Sequence, residues 1–440
     1  MEAAVEGLTQ EMVISAIILL AAYTLVFTER LHRTNAAVIG AVIMVAAGTW
    51  FDFYTQEQAV KAIDANTMFL LTGMMILVTI LKPTGGFEYL AIRVAKTAAR
   101  DPRLLLVYLS LAVSVTSMLL DNVTTVIIFA PLTALICRLL NINPLPYLMA
   151  EAMMSNIGGI ATLVGDPPNI MIGSAADIDF NQFLLHMGPV VAVVWLSVIV
   201  LVLWQFRREL RPPPGFTGII DLNEDNAIRD RKTLGRAIIA LGCVLVLFVL
   251  HHHLHFYPAY VTFIGVALAF VLVKPDPDTV LRQLEWPVLL FFIALFVIVG
   301  GVQNSGLLEL IGRSLARFAS DPERLLLTCL ILMWVAGLLS TVLDNIPFTI
   351  TMIPIVLDLE LAGVNATPLW WALALGVGLG GNGSHIGATA NVICVAESER
   401  CERDESTITP GIWLQKGLPV MFLSLAIASL LFALFFSFFE

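Results

Sequence analysis

Two Asp-Asn pairs, Asp121-Asn122 and Asp344-Asn345, interrupt otherwise apolar segments, LLDNVTTVIIFAPL and VLDNIPFTITMIPI. A carboxylate inside such a segment is expensive, and one with no structural excuse points to function. Two chemistries compete. A short polar side chain at a helix start can accept backbone N–H groups, which Ser or Thr would do without carrying a charge. A desolvated carboxyl can instead take up and release a proton or Na⁺, as ion coupling requires. The use of Asp in both segments favours the second chemistry, with Thr124 in the same turn as a solute contact.

Downstream of each pair lies the pattern GG-x2-[TS]-x2-G-x3-N. It comprises Gly158, Gly159, Thr162, Gly165 and Asn169 first, then Gly380, Gly381, Ser384, Gly387 and Asn391. Neither stretch can remain a regular helix. Glycine lowers the cost of non-helical dihedrals, and Pro167 and Pro168 remove backbone donors. Unwound backbone at membrane depth is tolerated where it is buried in protein or lines a cavity. There Thr162, Asn169, Asn382, Ser384 and Asn391 can join freed carbonyls around an ion or polar solute; the competing role is glycine-mediated close helix packing. Asp166, matched by Ala388 in the second stretch, is either a third coupling carboxylate or a cap at the helix break. His385 either titrates near neutral pH or hydrogen-bonds a free carbonyl. Glu151 either lines a cytoplasmic mouth or snorkels to the interface, Cys394 reads as a packing residue, and His251, His252, His253 and His255 read as an interfacial face.

The elements that must position these residues are membrane helices. Hydrophobic residues make up 58% of the 440 and charged residues only 13%, far from the balance of soluble domains. Apolar runs near spanning length recur, among them 12–27, 36–51, 68–81, 190–204, 237–250, 260–273 and 286–302. No soluble stretch exceeds 207–236 and no GxxxxGK[ST] motif occurs, so ATP-driven transport within this chain is not expected, nor is an enzyme. The five scattered cysteines form no ligand spacing, and no metal, cofactor or nucleic-acid partner is expected. The acidic start reads as leading into a retained first helix rather than a signal peptide.

The motifs also reveal a duplication. Asp121-Asn122 matches Asp344-Asn345, and Pro131 matches Pro354, at an offset of 223; the glycine patterns match at 222. This predicts an all-α polytopic membrane protein of two inverted-topology repeats, 10–206 and 237–436, joined by a cytoplasmic linker, 207–236. Each repeat has about five spanning helices, one re-entrant helical hairpin and a broken helix. An amphipathic surface segment precedes each hairpin, carrying Arg93, Lys96 and Arg100, or Glu309, Arg313 and Arg317. With both termini outside, 20 of the 24 Lys and Arg fall on the inside and 4 outside, as the positive-inside rule asks.

LLDNVTTVIIFAPLT, NIGGIATLVGDPPNIMI, LDNIPFTITMIPI and LGGNGSHIGATANVICVA resemble the ArsB/NhaD permeases of the ion transporter superfamily, within the P protein-like subgroup, over nearly the whole chain. The resemblance implies a scaffold domain, a moving transport domain and a homodimer in a bacterial inner membrane. More distant dicarboxylate/Na⁺ symporters of the superfamily carry Ser-Asn-Thr at the hairpin tip; here Asp121-Asn122-Val123 and Asp344-Asn345-Ile346 stand there, which suits proton coupling. His385 departs from the small or aliphatic residue of the family pattern. The expected function is therefore proton-coupled efflux of arsenite or antimonite, whose hydroxyls suit Asn, Thr and carboxylate partners. Alternatives are a Na⁺/H⁺ antiporter and an anion transporter or channel. No basic residue is expected near the site, which disfavours a multiply charged anion.

Overall fold

The computed structural model describes residues 8–27, 31–98, 100–213, 216, 224–312, 322–342, 345–401 and 407–440. Asp344, Arg313 and Arg317 lie outside the described residues. Of the described residues 82% are helical, and none lies in a strand. That outcome follows from composition, since apolar runs without access to water must satisfy their backbone internally.

Two successive sets of helices share one order. The first is α1 (Gln10–Phe27), α2 (Arg33–Trp50), α3 (Gln56–Lys61), α4 (Ala65–Leu81), α5 (Gly86–Ala98), α6 (Pro102–Leu119), α7 (Asn122–Leu140), α8 (Leu145–Gly159), α9 (Pro167–Ala175) and α10 (Phe180–Gln205). The second is α11 (Arg231–Leu254), α12 (Pro258–Val273), α13 (Pro277–Arg282), α14 (Trp286–Asn304), α15 (307–312), α16 (Pro322–Ser340), α17 (Asn345–Leu361), α18 (Thr367–Gly380), α19 (Thr389–Glu399) and α20 (Pro410–Leu434). Many starts are written locally. Asp101 accepts the Arg103 N–H ahead of Pro102, and Asp179 forms a capping box with Gln182. The short helices α3 and α13 are absent from the sequence reading; six residues give too little periodicity to detect. By length and composition, α4, α6, α7, α10, α11, α14 and α20 can each cross a membrane.

The two sets interlock rather than sit side by side. Helix α2 packs on α14, α4 on α12, α7 on α19, α9 on α17 and α10 on α20. The second piece of each broken helix therefore lies against the returning hairpin helix of the other set. Close approach is set by glycine at matched places. A Cβ on Gly158 would stand 2.5 Å from the Ser114 carbonyl oxygen, and one on Gly380 would stand 2.3 Å from that of Gly337.

The segment between the sets is strapped to α5, whose buried face is Ala91, Ile92, Ala95 and Ala98. Glu224 accepts hydrogen bonds from Lys96 and from Arg93, the latter at 2.9 Å. The Arg229 N–H donates to the Thr84 carbonyl at 2.9 Å. Gly85, at φ 82°, lets Ala227 come so close that a Cβ would lie 1.8 Å from its oxygen. The bond from Lys96, then its own backbone N–H and that from Arg93, hold the Glu224 carboxyl at about 2.

Gly158→Ala and Gly380→Ala are expected to lower the thermal midpoint in detergent by several degrees, from roughly 1–3 kcal/mol of overpacking. Gly235→Ala, with nothing within 4 Å of its added carbon, is expected to be neutral or to gain up to about 1 kcal/mol of helix propensity. The Glu224 contribution is present above its ordinary 4.5 and is lost as pH falls from there toward about 2. Glu224→Gln at neutral pH is expected to reproduce the acid state, seen as faster proteolytic cutting of residues 224–230.

Candidate functional site

The hairpin tips and helix breaks meet at one centre. Asn122, the first residue of α7, donates its amide to Asn156 Oδ1 on α8 at 3.2 Å. Asn156 donates in turn to Asn382 Oδ1 at 2.9 Å and Asn391 Oδ1 at 3.0 Å, both from the second set. Asn345, the first residue of α17, donates to Asp166 Oδ2 at 3.0 Å. All of these side chains are at least 95% buried. Both tips reach the level of the breaks, and the breaks touch each other.

Each break is closed by the same bracket. Asn169 donates both amide hydrogens, to the carbonyls of Gly159 (2.9 Å) and Thr162 (2.8 Å). Asn391 does the same to Gly381 and Ser384, each at 2.8 Å. The Thr162 hydroxyl donates to the Met118 carbonyl and that of Ser384 to the Thr341 carbonyl, tying each break to the end of its own hairpin's first helix. These polar atoms hold backbone, so what Asn169, Thr162 and Ser384 offer a solute is limited to their remaining oxygen atoms. Gly159 and Gly381 let the two ends of each break close on Gly165 and Gly387.

The duplication is chemically lopsided. Asn156 matches Gly378, and Asn382 matches Ile160. The Asn156–Asn382 amide pair therefore has as its counterpart an Ile160–Gly378 contact, where a Cβ on Gly378 would lie 2.4 Å from Ile160 Cγ1. Asn345 has no amide to meet in its own set and bonds Asp166 instead. Asp166 occupies the N-cap position of α9 but makes no side-chain cap bond; it joins the two sets. The amide nitrogen of Asn382 has no partner, nor does His385 Nδ1. Asn156 itself was not singled out from the sequence, because it lies ahead of the repeated pattern and has no polar counterpart.

Asp121 caps α7: its Oδ1 accepts the Thr124 N–H at 2.7 Å and its Oδ2 the Thr124 hydroxyl at 2.6 Å. It also lines a cavity of about 40 Å³ with Arg33, Glu285, Pro167, Ile346 and Thr389. Here the sequence reading needs correction, because a basic residue does reach the site. Arg33 extends from the start of α2, donates to Thr389 Oγ1 at 2.7 Å and lies over the Phe291 ring. Its position beside the second helix break depends on the interlocking of the sets, which no local pattern encodes. Burial pushes the Glu285 carboxyl up, with the Asp121 charge adding and Lys82 and Arg33 opposing. A wider opening of about 570 Å³ adjoins the cavity through shared walls at Met75, Val78 and Glu285, and is rimmed by Lys82, Glu88, Arg229 and Gln283. A second correction concerns Glu151, which is 1% exposed and so does not snorkel.

Removing the Asn169 bracket strands the Gly159 and Thr162 carbonyls, and removing the Asn391 bracket strands that of Gly381 while Ser384 keeps the Gly387 N–H at 3.3 Å, at roughly 1–3 kcal/mol per orphaned group. Asn169→Ala and Asn391→Ala are each expected to destabilise the fold more than Ser384→Ala, measured as the thermal midpoint in detergent.

A family model described as a citrate transporter, CitMHS, matches residues 23–376. The chain is 39% identical over 428 residues to a 46 kDa membrane protein of Mycobacterium leprae, covering 95% of this chain and 97% of that one. It is 31% identical over 470 residues to the human P protein, covering 89% of this chain and 56% of the P protein. Among solved structures, the YdaH transporter of Alcanivorax borkumensis, described as having an unusual topology, superimposes with a TM-score of 0.59 at 13% identity. That match covers 98% of this chain and 99% of the other, and it speaks for the fold alone. With its membrane-length helices meeting at a buried polar centre, the chain belongs to the CitMHS citrate transporter family and is an integral membrane transporter.

Proposed function

We propose that this transporter couples proton movement to the export of a small hydroxide, arsenite or antimonite, at the centre formed by Asp121, Asn122, Asn156, Asp166, Asn345, Asn382 and Asn391. The observation that carries the reading is the buried amide chain from Asn122 through Asn156 to Asn382 and Asn391, with Asp166 beside it. Amides offer donors and acceptors together, which matches hydroxyl groups, and an adjoining carboxyl can exchange a proton. The cavity at Asp121 has one cation, Arg33, against two carboxylates, Asp121 and Glu285. That balance suits an uncharged solute or a monocation better than a multiply charged anion. Asp344 belongs to the proposal as the second coupling carboxylate.

The cycle proposed is of the elevator type. Helices α6–α9 and α16–α19 move as a body against α1–α4 and α11–α14. Among the described residues, polar links across that boundary include Tyr23 to Pro347 and Thr351, Arg33 to Thr389, and Asn66 to Ser174. The repeats 10–206 and 237–436 take opposite orientations, with both termini outside, in a homodimer in the inner membrane.

A second reading, a small carboxylate as substrate, is favoured by Arg33 at the cavity, since a guanidinium pairs well with carboxylates. A Na⁺/H⁺ antiporter is the third. Everted vesicles energised with a proton gradient, offered arsenite, antimonite, Na⁺ and citrate in turn, separate them. Arsenite uptake without Na⁺ movement is the expected result; Na⁺-dependent proton release or citrate uptake sinks the first reading. Asp121→Asn is expected to reduce gradient-driven uptake at least tenfold, and unchanged coupling would remove Asp121 from the mechanism. Arg33→Gln is expected to abolish citrate movement under the carboxylate reading, and to leave the KM for arsenite within about threefold under the first.

A further inference from the structure

Glu151 lies in the second turn of α8, five residues before Asn156, where α7, α8 and α19 meet. One carboxyl oxygen accepts a hydrogen bond from the Thr133 hydroxyl of α7. The other has no partner, and the residue is 1% exposed. Two fully buried thiols, Cys137 and Cys394, lie on α7 and α19, the helices packed against it. The other elements against α8 bring it no charge. Helix α18 and the turn 381–383 contain no titratable residue. On α10, His186 is stacked on Trp371 and Phe438. On α6, Arg103 and Tyr108 are exposed. Tyr147 on α8 itself donates to the Pro102 carbonyl, Glu397 of α19 pairs with Arg400, and Arg138 of α7 and Glu399 of α19 are exposed.

The duplication shows what packing alone asks of this place. Glu151 matches Leu373, and Thr133 matches Val356, and both of those are fully buried. An apolar pair fills the equivalent space in the second set, so the carboxyl and hydroxyl are not needed to fill it. A buried carboxylate with one hydroxyl donor and no cation costs several kcal/mol even after relaxation. An acid whose O–H lacks an acceptor costs roughly 1–3 kcal/mol. The arrangement described is thus one that holds a proton. The ionised form becomes affordable only when water reaches the junction, and α19, which closes it, belongs to the other set and packs on both α7 and α8.

We propose that Glu151 is a proton-exchange site of the transport cycle, loaded while α19 covers it and unloaded when the moving body that holds α7, α8 and α19 carries their junction to water. This deepens the proton-coupling reading without depending on which solute is carried. It places a proton carrier on the polar side of a lopsided duplication, one turn and a half from the central amides and separate from the cavity at Asp121.

The test uses the full chain reconstituted in liposomes. Infrared difference spectra, stepped from mildly acid to alkaline buffer, are expected to contain the C=O band of a protonated carboxyl that Glu151→Gln lacks. Transport is then followed with arsenite, Na⁺ and citrate as separate probes. Whichever probe the wild type moves is expected to exchange at equal pH across the membrane in Glu151→Gln, while accumulation driven by a pH gradient falls at least tenfold. The double variant Glu151→Leu with Thr133→Val copies the second set. It is expected to fold with an unchanged or higher thermal midpoint and to show the same uncoupling, which excludes misfolding as the cause. A band that persists in Glu151→Gln, or a full response to the pH gradient after the band is gone, overturns the proposal. Should the wild type move none of the probes, the solute reading fails, and the spectra still decide whether Glu151 exchanges a proton.

Discussion

Two helices stop in the middle of this protein, and the carbonyls they free have no water to turn to. In an apolar surround each such group costs several kcal/mol unless a donor reaches it. Asn169 and Asn391 supply those donors, two apiece, to carbonyls at matched positions. The rest of the centre depends on this constraint. With the ends of each break closed on themselves, α9 and α19 can restart in new directions and present their first residues, Pro167 and Thr389, to the cavity beside Asp121. With Thr162 and Ser384 tied to Met118 and Thr341, the hairpin tips are held at the level of the breaks.

From that shared frame the two sets diverge in chemistry. Asn156, Glu151, Thr133 and Asp166 stand where the second set has Gly378, Leu373, Val356 and Ala388. Asn382, His385 and Thr389 run the other way, standing where the first set has Ile160, Leu163 and Pro167. A symmetric scaffold thus carries a centre whose polar and protonatable groups cluster around α8, while the matching surface of α18 is smooth. The packing explains why this is tolerated. Each polar residue of the first set meets a partner from either set, and each replacement in the second is a residue that needs none.

Much of the site was legible in the residues themselves. A deep carboxylate is costly wherever it sits, so Asp121 and Asp166 announced themselves. The paired Gly and Asn positions announced broken helices because glycine and proline act locally. What those residues touch was less legible. Asn169, Asn391, Thr162 and Ser384 were expected to meet a solute, yet each spends its donors on backbone. No basic residue is expected at the site, yet Arg33 reaches it, and Asn156 has no polar counterpart in the repeat to mark its role. The short helices α3 and α13 left no periodic trace.

By itself the sequence determined that this is an all-helical membrane protein, that its helices come in two matching sets, and where those helices break. Composition and residue type act over a few neighbours and need no fold to be read. Only the tertiary structure decided that the sets interlock, so that α2 of the first set delivers Arg33 to Thr389 of the second. It likewise decided that the tip of one hairpin bonds Asp166 in the opposite set and that Glu151 is sealed under α19. Those are contacts between residues more than a hundred apart in the chain, and no local preference can specify which distant partner a side chain will meet.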